Sequence, residues 1–400
     1  MKTLKQHIRN LSKEQFILLK SLCRHSNSLY NSALYITNMY FEETTKYIGY
    51  NKLYHEMKDN IHYKAMPAKM SQQILRLVDH NYMSFFSLLK QKKSGRYTDA
   101  VNKPKYKKPN IEFNLILPSD QISLKNNILK ITKDIKLNFN YEIKGKIKQA
   151  IIKPNNYGYY SIYIQYEDNK SNQIPNKDNI LGIDLGLNNL ATCVSNVGHS
   201  FIMNGKPLKS YNQFYNKKKA RIQSELKKCN NKYYSKKLSR LDINRNNYIN
   251  NYFNQGISQI IKYCIKHDIG KLIVGYNETW KNEINLGVKT NQKFMNIPHY
   301  LFKQKLISKC SEYNIEIILV EESYTSKCSF IDSEDMCKKD SYLGLRIKRG
   351  LYRSNGGILL NADVNGACNI IRKVVPEFRY EGVEGFIVSP SVLEQFNPKS

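Results

Sequence analysis

From Leu11 to about Lys93, apolar residues recur at three- and four-residue spacing: Leu18, Leu19, Leu22, Leu29 and Leu34, then Ile74, Leu75, Val78, Phe85, Phe86, Leu88 and Leu89. This period marks amphipathic helices and predicts a helical region over residues 11–95. Lys20, Arg24, Lys69 and Arg76 fall between the apolar positions, on a face turned to solvent or to nucleic acid. At Ser94-Gly95-Arg96 the pattern changes. Lys103-Pro104-Lys105-Tyr106-Lys107-Lys108-Pro109 follows, and its two prolines keep it out of a helix. Between Phe113 and Tyr166 the runs Ile128–Ile131, Ile147–Ile152 and Tyr159–Ile164 are short and β-rich. Asn126-Asn127 and Asn155-Asn156 punctuate them. They predict a small β-barrel or sheet domain. Asp168–Asn179 is polar and reads as a linker.

A different alternation begins at Ile180. Ile180–Asp184, Leu190–Val194 and Ser200–Met203 predict three strands in a meander. A Lys/Asn-rich helical stretch follows from about Asn212 to His267, with Ile257, Ile260, Ile261, Cys264 and Ile265 as its stripe. Strand Lys271–Gly275, a helix from about Pro298 to Tyr313, strand Ile315–Val320 and a last helix from about Asp363 complete the region. Three antiparallel strands followed by alternating helices and parallel strands describe an α/β sheet of the RNase H type.

Charge narrows the partners. Lys and Arg number 63 against 33 Asp and Glu, a formal charge of +30 over 400 residues. Such an excess favours a polyanion, because basic side chains that neutralise phosphates release condensed counterions. The 30 tyrosines could stack on bases, although an A/T-rich genome alone would also enrich Tyr, Lys, Asn and Ile. Eight cysteines stand scattered with no C-x-x-C pair, which points to free thiols in a reducing cytoplasm. No apolar run approaches a membrane span. The expectation is a bacterial cytoplasmic, nucleoid-associated protein.

Against this background, isolated acids stand out. Leu181-Gly182-Ile183-Asp184-Leu185-Gly186 places a carboxylate at the end of an apolar strand, where burial is costly unless something pairs with it. Asn361-Ala362-Asp363-Val364-Asn365-Gly366 holds a second. Two such acids suggest a shared metal site with a phosphodiester as substrate. Oxygen-only ligands suit magnesium, and two ions would activate water and stabilise the leaving oxygen. Blander roles compete: Asp184 as a turn acid, and Asp363 as a helix N-cap. Gly-Ile-Asp-Leu-Gly also resembles the first phosphate loop of actin and Hsp70-type ATPases. The only later glycine doublet, Gly356-Gly357, sits beside Arg349 and Arg353 and argues against that reading.

Ile183-Asp184-Leu185-Gly186, then Glu322-Ser323-Tyr324-Thr325-Ser326-Lys327-Cys328-Ser329, then Ala362-Asp363-Val364-Asn365-Gly366-Ala367-Cys368-Asn369-Ile370 together resemble TnpB, the OrfB protein of insertion sequences and a relative of type V CRISPR effectors. The resemblance covers most of the chain and is most specific in its C-terminal half. It implies an RNA-guided, magnesium-dependent endonuclease that cuts double-stranded DNA beside a short A/T-rich motif, with guide RNA and target DNA as partners. It implies a RuvC-like nuclease domain over 173–375, a helical recognition lobe over 11–95, a β-barrel-like wedge domain over 1–10 and 96–172, and a tail over 376–400.

Two departures matter. The family's second motif ends a strand with Glu, but Leu272–Asn277 carries no acid there. Glu322 after strand Ile315–Val320 then becomes the third ligand beside Asp184 and Asp363, with Glu321 and Glu278 as alternatives; a one-residue shift reverses the face used. The family's zinc ribbon also lacks its cysteine pairs. Cys328 and Cys337 cannot supply four ligands, so no zinc is expected and the insert 323–362 must fold by other means or be mobile. Lys103, Lys105, Lys107, Lys108, Arg349 and Arg353 are candidate nucleic-acid contacts. A nuclease-dead RNA-guided repressor, a small type V CRISPR effector and a DNA transposase remain alternatives.

Overall fold

The structure is a computed structural model. It describes residues 1–125, 127–143, 145–155, 159–167, 174–276, 297–348, 350–379 and 390–393. The chain divides into two compact units, Met1–Lys170 and Ser171–Ser400.

In the first unit, strand β1 (Lys2–Ile8) leads into the long helix α1 (Lys13–Thr44). Ser12 starts α1 with a reciprocal cap: Gln15 N–H donates to Ser12 Oγ at 3.2 Å, and Ser12 N–H donates to Gln15 Oε1 at 3.1 Å. Helices α2 (Gly49–Met57), α3 (Ile61–Lys64) and α4 (Ala68–Lys93) follow. Strands β2 (Leu115–Pro118), β6 (Lys146–Asn155) and β7 (Tyr159–Glu167) then join β1 in one antiparallel sheet, ordered β1-β7-β6-β2. Strands β3 (Ser123–Lys125), β4 (Ile128–Lys130) and β5 (Lys136–Asn138) form a separate meander.

Alternation on β7 turns Tyr160, Ile162 and Ile164 inward, and they share one core with Leu19, Leu22, Leu75 and Val78 of the helices. The barrel-like domain expected here is corrected: among the described residues the sheet is open, with β1 and β2 as its edges. Its apolar face is covered by α1 and α4, so closure of the sheet on itself is not needed to bury it.

The second unit is built on a six-stranded mixed sheet. Strands β8 (Asn176–Asp184), β9 (Asn189–Ser195) and β10 (Phe201–Asn204) form the antiparallel meander. Strand β8 starts at Asn176, inside the segment read as linker, where it pairs with Ile269. Helices α5 (Lys206–Asn230) and α6 (Lys236–Lys266) make a long hairpin before β11 (Ile269–Tyr276). Helix α7 (His299–Glu312) leads to β12 (Glu316–Glu321); β11 and β12 run parallel to β8. A small antiparallel sheet of β13 (Leu345–Lys348), β14 (Leu351–Arg353) and β15 (Leu359–Asn361) precedes helix α8 (Ala362–Arg372). The segment read as a tail adds a sixth strand, β16 (Ser391–Leu393), parallel to β10.

Parity along these strands separates two faces. Leu181, Ile183, Leu272 and Val274 point toward α6 and α7, in a core with Ile257, Ile260, Phe302 and Leu306. Ile180 and Ile273 point the other way, against Val364, Ala367, Ile370 and Ile371 of α8. Buried on both faces, β8 and β11 read as near-continuous apolar runs. Gly182 is required on the α8 face, because a Cβ there would lie 2.4 Å from Ile371 Cγ1 and 2.9 Å from the Ala367 carbonyl.

Candidate active site

The α8 face gathers the acids. Asp184 is the last residue of β8 and has the parity of Ile180 and Gly182. In the parallel register, Ile183 pairs with Val274, Gly275 with Val320 and Tyr276 with Glu321. Two residues beyond Val320, Glu322 returns to the face of Asp184. Its backbone N–H donates to the Tyr276 carbonyl at 3.1 Å, which extends the ladder past the end of β12. Glu321 has the opposite parity and is exposed, its carboxylate accepting from Ser323 Oγ.

Two glycines make room for these side chains. A Cβ at Gly275 would sit 3.0 Å from Glu322 Oε2, so the carboxylate of Glu322 lies over the bare backbone of β11. The strand that carries no acid of its own thus provides the floor for one from its neighbour. A Cβ at Gly366 of α8 would sit 3.0 Å from Asp184 Oδ2.

Asp363 completes the group from the first turn of α8. Helix capping falls to Asn361, whose Oδ1 accepts from the N–H groups of Asp363 at 2.9 Å and Val364 at 3.3 Å. The Asp363 carboxylate is therefore released from that duty. Asn189 Nδ2 donates to its Oδ2 at 2.6 Å, and the Arg346 guanidinium lies 3.4 Å from its Oδ1.

Asp184 and Glu322 are both perturbed by burial and by neighbouring charges. Burial pushes the Asp184 carboxyl up to about 8, reinforced by the charges of Glu322 and Asp363 and opposed by Arg346. Burial raises Glu322 to about 7, reinforced by Glu321 and opposed by Lys373. Clustered acids with raised pKa values mark sites that await a cation or a proton. The donor set fits a hard divalent ion: it offers only oxygen. Among the described residues, no three such side chains converge as a ready-made cage for one ion. Magnesium needs no cage, since it retains waters and takes one or two carboxylates at a time.

A stability effect follows in metal-free protein. An acid whose pKa rises on folding keeps its proton longer in the folded state. The folded form then binds more protons between the ordinary value of 3.8 and about 8, and stability is lost as pH rises through that window. The chain also sheds positive self-repulsion as pH rises, so the readout is a difference between variants. Asp184→Asn in EDTA is expected to gain Tm relative to wild type as pH rises from about 5 to about 9. A constant difference across that range overturns the assignment.

The other sequence candidates scatter. Glu278 and Arg349 lie outside the described residues. In the proline-bounded segment, Lys103 pairs with Glu42 at 3.3 Å and lies over the Phe41 ring. Lys107 lies 5.1 Å from the centroids of both Tyr30 and Phe113, and its backbone is pinned by Asn31. Lys105 and Lys108 are exposed. Arg353 is exposed on β14. Sequence reasoning missed Asn189 and Arg346. The first opens β9, just past the turn after Asp184; the second alternates with apolar residues in Leu345-Arg346-Ile347-Lys348, a strand signal.

A family profile described as "Probable transposase", OrfB of IS605, matches residues 163–281. A second, described as Cas12f1-like, TNB domain, matches residues 299–370. Asp184 lies in the first match, Glu322 and Asp363 in the second. These matches support a relationship to TnpB proteins and, through them, to type V effectors. It is 24% identical over 396 residues to the TnpB-like protein ORF457 of Acidianus two-tailed virus, covering 89% of this chain and 83% of that protein. The fold of this TnpB relative is similar to Cas12f1 in a solved complex with sgRNA and target DNA. That likeness has a TM-score of 0.56 at 14% identity, over 90% of this chain and 83% of the other. The chain thus resembles TnpB proteins in sequence and Cas12f1 in fold.

Proposed function

We propose that this TnpB-like protein is an RNA-guided DNA endonuclease whose hydrolytic centre is formed by Asp184, Glu322 and Asp363. The observation that carries the reading is proximity: Glu322, from the end of β12, shares the sheet face of Asp184, and Asp363, in the first turn of α8, is near enough for its charge to act on Asp184. Burial of Asp184 beside the charges of Glu322 and Asp363 favours a divalent cation. Magnesium bound among these carboxylates would polarise a phosphate oxygen and lower the pKa of bound water. The chain's own residues then have defined tasks. Asp184 is held rigidly at a strand end between β9 and α8. Glu322 reaches over Gly275. Asn189 and Arg346 orient Asp363, and Arg346 presents positive charge where a phosphodiester would enter.

Guide RNA and double-stranded target DNA are the partners on this reading, and the +30 charge suits both. Among the described residues, no helix is long and apolar enough to cross a membrane. Base pairing would read the target sequence, with protein contacts restricted to backbone, shape and a short flanking A/T-rich motif. Two bound magnesium ions and the absence of zinc belong to the same proposal.

The test is copurification with the RNA made from the chain's native flanking DNA, followed by sequencing of that RNA. A defined structured RNA ending in a variable guide is expected, as is magnesium-dependent cutting of a plasmid that matches it. Recovery of heterogeneous cellular RNA alone would sink the guided reading. Specific RNA with target binding but no cutting would select the repressor instead. Joined rather than free DNA ends would select the transposase.

A further inference from the structure

The hairpin of α5 and α6 carries a surface that the acid site does not use. We infer that its tip binds unpaired nucleotides, by stacking on Tyr233 and Tyr234 and by phosphate contacts from the surrounding lysines. The inference rests on the reading above only in that the protein works on nucleic acid.

The inner side of the hairpin is fully engaged. Tyr211 and Tyr248 stack with centroids 3.9 Å apart and rings 4° from parallel. Tyr215 donates its hydroxyl to Asp242 at 2.6 Å, and Arg245 Nε donates to Asn212 at 2.7 Å. Ile222 of α5 and Leu238 of α6 are buried. These contacts fix the two helices as a rigid arm.

The tip is built differently. Asn231 ends α5 in the left-handed region at φ 46°, and Ser235 starts α6 by accepting the Leu238 N–H at 3.1 Å. The tight turn between them leaves Tyr233 and Tyr234 66% and 71% exposed. Adjacent aromatics this exposed contribute little to the core and leave ring faces open to a ligand. Residues 217–237 carry nine basic side chains against one acid, Glu225, which is already shared by Arg221 and Lys237. Lys227 and Lys228 at the end of α5 suit that helix's dipole. Lys236 and Lys237 do not: they occupy the first turn of α6, where the dipole favours acids and none is present. Positive charge placed against the dipole, beside two open rings, fits a phosphate backbone with its bases free to stack.

Binding of labelled oligo(dT), oligo(rU) and a short duplex, measured in EDTA, tests this. Tyr233→Ala/Tyr234→Ala is expected to weaken the single-stranded probes roughly tenfold or more and the duplex much less. Tyr233→Trp/Tyr234→Trp is expected to retain binding. Exchange of Lys227, Lys228, Lys232, Lys236 and Lys237 for Gln is expected to flatten the salt dependence on all three probes. A larger loss on oligo(rU) assigns the tip to RNA; a larger loss on oligo(dT) assigns it to DNA. Unchanged single-strand binding by the Ala pair overturns the inference, as does an equal loss on the duplex. That failure leaves the nuclease reading intact. Conversely, normal cutting by Asp184→Ala would overturn the acid site and leave the hairpin result standing.

Discussion

Asp184→Ala and Glu322→Ala are expected to bind guide RNA and matched target normally yet leave the DNA uncut, whereas Glu321→Ala cuts. The distinction follows from strand parity. Glu321 pairs with Tyr276 and faces away from α8, while Glu322 shares the face of Asp184. On the proposed metal-dependent reading, loss of either acid removes several kcal/mol of electrostatic stabilisation, which corresponds to roughly a thousandfold in rate. Gly275→Ala provides an intermediate arm. Its methyl would lie 2.5 Å from Ile370 Cδ1, which must shift, and 3.0 Å from Glu322 Oε2, which must give by a few tenths of an ångström. Since misplacement by about an ångström costs up to about a hundredfold in rate, this smaller displacement is expected to cost less than that. Cleavage time courses on a matched plasmid, with binding measured separately in calcium, separate these cases. Normal cutting by Glu322→Ala, together with a dead Glu278→Ala, would move the third acid to Glu278.

How far this arrangement was legible in the chain depends on the kind of interaction. The apolar runs around Ile183, Ile273 and Ile318 and the stripe Ile257–Ile260–Ile261–Cys264 are local signals of strand and helix, so the mixed α/β organisation could be read. Motif residues likewise marked Asp184 and Asp363. The choice between Glu321 and Glu322 could not be settled locally, because register is set by the neighbouring strand and one residue flips the face. Asn189 and Arg346 were invisible for a related reason: each meets Asp363 only through tertiary folding, across 174 and 17 residues. Lys107 looked like a nucleic-acid contact from composition. Its ammonium also lies over two rings supplied by α1 and by Phe113, a cation–π arrangement that a charge count does not show. The barrel expectation failed because strand patterns reveal which face is apolar but not what covers it.

Glu334→Ala is expected to unfold the insert between β12 and α8 while the six-stranded sheet stays intact. Glu334 is the buried hub of that insert, its side chain 1% exposed. One carboxylate oxygen accepts from the Ser329 N–H at 2.8 Å. The other accepts from the Leu343 N–H at 3.1 Å and meets Lys339 Nζ at 3.3 Å. Its backbone carbonyl accepts from Arg372 of α8. Around it, Asp332 accepts from Ser329 Oγ and from the Asn355 N–H, and Tyr352 donates its hydroxyl to the Lys327 carbonyl at 2.8 Å. Asn365 and Asn369 of α8 donate to the Cys328 carbonyl at 2.9 and 2.8 Å, which locks the loop to the helix. A carboxylate thus gathers strands of this loop that four thiolates around zinc would gather in a ribbon. Its loss strands the Ser329 and Leu343 N–H groups without acceptors, at about 1–3 kcal/mol each where they are buried. The loss is local, so hydrogen exchange should accelerate over residues 323–348 and remain slow in β8 and β11. Because Arg346 reaches Asp363 from this insert, cleavage should fall as well, and guide binding should not. Prolonged treatment with a zinc chelator should leave exchange in the insert unchanged. If the chelator mimics Glu334→Ala, a metal and not the carboxylate holds the loop.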